Sequence, residues 1–75
     1  MDARLRYLNA RLHYSKGEHK QAIELLAEAV AEDPDNVEYV HFLGLVYFAR
    51  KSYPTARRHF EDALKLDNSF SQARF

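Results

Sequence analysis

Residues of like character return along this chain at an offset of 34 positions, and that periodicity limits its possible folds more than anything else in it. Ala22 is matched by Ala56, Leu26 by Phe60, Ala29 by Ala63 and Asp33 by Asp67. Further upstream, Leu12 is matched by Val46, His13 by Tyr47 and Tyr14 by Phe48. Three of these seven pairs are identical; in the others it is character that recurs. A unit of this length is one supersecondary element that cannot bury its apolar face alone, so successive copies have to stack. With 75 residues, the chain has room for two such units and little more.

Within each unit the apolar spacing is helical. Leu5, Leu8 and Leu12 follow an i, i+3, i+7 stripe, with Tyr7, Ala10 and Tyr14 beside it. A helix apolar on two sides packs against two neighbours. This first helix is expected over about Ala3 to Lys16, stopped by Gly17, which readily takes the left-handed conformation at a helix end. A second, from His19 to Glu32, carries Ala22, Ile23, Leu26, Ala29 and Val30 and ends at Asp33-Pro34. Asp35 or Asn36 can cap a third, Val37 to Arg50, with Tyr39, Val40, Leu43, Val46 and Tyr47. The fourth starts near Tyr53, has Pro54 in its first turn, and fades at Asp67-Asn68. Ser69 could cap a fifth segment before the sequence ends at Phe75.

Composition narrows the functional classes. Eleven basic residues balance eleven acidic ones, whereas a general binder of nucleic acid or anionic membrane shows a basic excess. No apolar run approaches the roughly 20 residues that span a bilayer, and no secretory signal follows Arg4 and Arg6. Cysteine is absent, which removes disulfides and thiolate metal sites and suits a cytoplasmic setting. A hydrophobic share of 47% with two glycines and two prolines is that of a folded chain. Such a short domain buries only about 60% of its unfolded surface, so it needs support from oligomerisation or from a place in a longer array.

The second unit resembles the tetratricopeptide repeat. Leu43, Gly44 and Tyr47 stand as that family's Leu-Gly-x-x-Tyr, followed by Tyr53, Ala56, Phe60, Ala63, Leu64 and Asp67. Gly44 and Ala56 would let two helices approach closely, with Tyr47, Phe60 and Leu64 around them. The first unit matches through Ala10, His13, Gly17, Ala22, Leu26, Ala29, Asp33 and Pro34. It departs at Arg6 and Asn9, where the family prefers tryptophan and leucine, so helix one is expected to be slightly rotated, or shifted by one residue, so that Leu5, Leu8 and Leu12 pack. Lys51 stands where glycine is usual, and Asn68 where proline is usual. The resemblance implies an all-α fold of two stacked antiparallel helix hairpins with a right-handed superhelical trend. It implies one domain over 1–75, with repeat one at 3–36, repeat two at 37–70 and a partial helical segment at 71–75.

Reactive chemistry finds little support. His13, His19, His41 and His59 include no i, i+4 pair that would place two imidazoles on one helical face, so no metal site is expected. Glu24, Glu28 and Glu32 repeat every four residues and read as one solvated helix face. Ser15, Ser52, Ser69 and Ser71 lack an evident base, and no glycine-rich phosphate loop exists. No cofactor and no catalysis are expected. Charge is nevertheless segregated: four basic residues against one acid from Asp2 to Lys16, then seven acids against Lys20 from Glu18 to Glu38.

By the resemblance, the first helix of each pair lines a concave groove. The ligand-facing positions fall on Arg4, Tyr7, Arg11, Tyr14 and Ser15, and on Glu38, His41, Leu45, Phe48 and Ala49. Two tyrosines, a phenylalanine and two arginines are residue types enriched at binding hot spots. The clamp that some members use for a chaperone C-terminal carboxylate is not expected, because its helix-one positions hold Tyr7 and Arg11. The expected function is an adaptor holding an extended peptide or a partner helix. The alternative is a self-assembling module, a homo-oligomer joined through Phe60, Leu64, Phe70 and Phe75.

Overall fold

Turn chemistry cuts the chain into helices. The computed structural model describes residues 2–66, which form four: α1 (Ala3–Ser15), α2 (His19–Glu32), α3 (Val37–Ala49) and α4 (Tyr53–Leu66). The Asp2 side chain caps α1, accepting from the Leu5 amide at 2.8 Å. Asn36 caps α3, its Oδ1 accepting from the amides of Glu38 and Tyr39 at 3.1 and 3.3 Å. Gly17 ends the first hairpin's turn at φ 80, and Lys51 occupies the equivalent place at φ 65. Both positions need the left-handed region, whichever residue fills them. No strand occurs among the described residues.

α1 packs on α2, α3 packs on α4, and α2 joins the two hairpins by lying against α3. Small residues decide how closely they meet. Ala10, Ala22 and Ala29 are fully buried, and Leu26 fills the space they leave. At Gly44 an added methyl would stand 2.7 Å from the Phe60 ring, so the second hairpin closes only because that position has no side chain. Tyr7, Tyr39, Leu43 and Val46 complete one core that runs through α1, α2 and α3.

Two expectations fail. Leu5, Leu8 and Leu12 do not pack; they are 47%, 44% and 54% exposed, while Tyr7 and Ala10 turn inward. The face of α1 that carries Ala10 turns inward, and the leucines lie on the other face, whose counterpart in α3 is covered by the first hairpin. Arg6 then faces α2, and its guanidinium bonds Glu32 at 2.7 Å and Glu28 beside it. Glu28 and Glu32 are therefore partners of α1, not merely a solvated face. The segment expected at 71–75 and the cap at Ser69 lie outside the described residues.

Candidate functional site

The face shared by α1 and α3 is built on aromatic contacts. The Tyr7 ring lies 5.0 Å from Tyr39 and meets Phe42 edge-on at 5.8 Å, while Tyr14 meets Phe42 edge-on at 5.3 Å. Such offset and edge-to-face pairs add to simple area burial. The Tyr7 hydroxyl donates to Glu38 Oε2 at 3.2 Å, and the Arg11 guanidinium sits 5.7 Å over the Tyr7 ring. Burial, and then the Glu38 carboxylate, push the Tyr7 phenol above its ordinary range. Tyr7 is thus a buried floor of this face, neutral and tied at both ends, whereas Arg11 and Glu38 stand exposed beside it.

The second hairpin supplies the more open part. Phe48 is 55% exposed and Tyr53 52%, yet their rings meet edge-on at 5.3 Å. Leu45 and His41 are half-buried, with His41 tilted against Phe60 at 5.4 Å. The offset of 34 relates the Phe48–Tyr53 pair to Tyr14 and His19, which stack at 5.5 Å across the first turn. Arg4, Ser15 and Ala49 are exposed. The positions expected to line a groove therefore sort into a buried floor (Tyr7), half-buried walls (Tyr14, His41, Leu45) and exposed groups (Arg4, Arg11, Glu38, Phe48). Tyr53 stands beside them through its contact with Phe48, which the helical pattern alone does not suggest. Its signal is its place five residues after Phe48, the spacing that already joins Tyr14 to His19.

Of the residues assigned to self-association, Phe60 lies half-buried across Gly44 and Leu64 is 40% exposed; Phe70 and Phe75 fall outside the described residues. Elsewhere the ionisable groups serve local structure. His13 Nδ1 lies 2.6 Å from Glu18 Oε1, a hydrogen bond that holds the Glu18 carboxyl below its usual range. His59 stacks on Tyr47 at 5.4 Å; burial, then nearby Arg58, keeps its imidazole below the ordinary range, with Asp62 opposing. His59 also borders an open recess of about 370 Å³ lined by Val30, Pro34, Val40, Asp62, Lys65 and Leu66. Among the described residues no three His, Asp or Glu side chains converge as a metal cage, and no helix is long and apolar enough to cross a membrane.

Comparison with known proteins bears on the same residues. A family model of the tetratricopeptide repeat matches residues 7–69. The chain is also similar to the DnaJ homolog subfamily C member 7 homolog of Dictyostelium discoideum, 30% identical over 73 residues. Those residues make up 97% of this chain and 14% of that protein, so the chain spans about one seventh of the relative's length. The match runs through both hairpins, including Ala10, Ala22, Gly44 and Ala56, the small residues on which the close helix contacts rest. The chain belongs to the tetratricopeptide-repeat family.

Proposed function

We propose that this chain is an adaptor that holds a peptide or partner helix against the face made by α1 and α3. Tetratricopeptide repeats are in general non-catalytic modules of protein–protein interaction; the finer assignment rests on the site. The observation that carries it is the Phe48–Tyr53 pair. Two large rings in contact with each other, each more than half exposed, form an apolar platform that helix pairing does not require. Aromatic groups of this kind give contact area at low entropy cost and dominate binding energy when a partner desolvates them. Leu45 extends the platform along α3. Arg4 and Arg11, at the equivalent faces of α1, favour a ligand with an acidic residue beside an apolar anchor. Repeat units at 3–36 and 37–70, and a cytoplasmic setting suited to a cysteine-free chain, belong to the same reading.

The test is a random-peptide phage selection on the native chain, followed by anisotropy titrations of the selected peptides. Leu45→Asp/Phe48→Ser should weaken binding by about tenfold or more, whereas Lys20→Ser on α2 should leave it unchanged. Circular dichroism confirms that each variant stays helical. Peptides that bind the double variant as tightly as the native chain overturn the assignment.

A further inference from the structure

The exposed leucines of α1 have counterparts whose surroundings are known. At the offset of 34, Leu5 corresponds to Tyr39, Leu8 to Phe42 and Leu12 to Val46. In α3 those positions are covered: Tyr39 is 4% exposed, Val46 is fully buried and Phe42 packs half-buried against the core. In α1 the same positions are 47%, 44% and 54% exposed. The cover in α3 comes from the first hairpin, through Tyr7, Tyr14 and the α2 face that includes Val30. Those covering residues have counterparts too, His41, Phe48 and Leu64, and of these Phe48 is 55% and Leu64 40% exposed.

One end of the molecule thus carries an acceptor strip, and the other carries the groups that fill such a strip at the internal joint. We infer that Leu5, Leu8 and Leu12 receive the α4 end of a second copy of this chain, joined head to tail as hairpin one joins hairpin two. The occupant is assigned by continuity with that joint; Phe48 is shared with the peptide-binding reading, so the variants below leave it in place. The contact is heterologous, so each copy keeps a free end and association continues with rising concentration unless the rotation at the joint closes a ring.

Leu8→Glu and Leu64→Glu test it from opposite ends, and both lie away from Leu45. Each replaced side chain is at least 40% exposed, so helicity by circular dichroism should be unchanged. In sedimentation runs from low micromolar to low millimolar concentration, the native chain should grow in mass. Either variant alone should associate about tenfold more weakly or worse. Mixed together they should form a one-to-one dimer, since each keeps the end that the other has lost. A native chain that remains monomeric throughout overturns the inference. So does association abolished by Leu8→Glu but untouched by Leu64→Glu, because the strip would then be meeting itself.

Discussion

Two turn residues at equivalent places make a controlled comparison. Gly17 and Lys51 both hold positive φ, 80 and 65, and an added methyl at Gly17 meets nothing within 4 Å. Any penalty there comes from the backbone. A left-handed non-glycine residue costs about 1–2 kcal/mol, against about 0.4–1 kcal/mol that glycine adds to unfolded-chain freedom. Lys51→Gly should therefore stabilise the chain by about 0.5–1 kcal/mol and Gly17→Lys destabilise it by a similar amount, read from urea midpoints. Gly44 differs in kind. Alanine there gains about 1 kcal/mol of helix propensity, but its methyl would lie 2.7 Å from Phe60 and 3.3 Å from the Ala56 carbonyl. Overpacking costs about 1–3 kcal/mol, so Gly44→Ala should be a net loss of about 1 kcal/mol. Adding Phe60→Leu should shrink that loss.

Helix boundaries were legible because glycine, proline and capping side chains act locally. The His19–Glu32 span follows from Gly17 before it and Pro34 after it, and Asn36 caps as its position suggests. The orientation of α1 was not legible. Periodicity shows which residues share a face, but α1 has two apolar faces, and which of them is covered depends on what packs beside the helix: Tyr7 and Ala10 are buried while Leu5, Leu8 and Leu12 are not. Arg6 follows from that choice, reaching Glu28 and Glu32 from the position where the family prefers tryptophan. Arg6→Gln should lower the thermal midpoint, and the difference from the native chain should shrink as salt rises. On α4, a neutral His59 gives acid sensitivity of definite sign. Its folded pKa is depressed by burial and then by Arg58, with Asp62 opposing, so the unfolded chain takes the proton first. Stability is full above about pH 6.5 and declines as pH falls through the depressed range. His59→Gln should flatten that decline relative to the native chain in urea midpoints taken across it.

At the scale of the whole molecule, the offset of 34 made the stacking of hairpins readable from the residues alone, because the small residues return: Ala22 and Ala29 are buried, and so are their counterparts Ala56 and Ala63. The concave face was implied by the tetratricopeptide resemblance, which could not separate floor from rim. Tyr7 and Phe48 both read as ligand-facing, but Tyr7 has α3 over it while Phe48 meets Tyr53 and stays more than half exposed. That difference comes from position in the stack, which no local pattern encodes. The measurement closest to the heart of the proposal is chemical-shift mapping of the native chain titrated with one phage-selected peptide. Perturbations should cluster at Leu45, Phe48, Tyr53, Arg11 and Arg4. Shifts confined to the outer faces of α2 and α4, with Phe48 and Tyr53 unmoved, would contradict it.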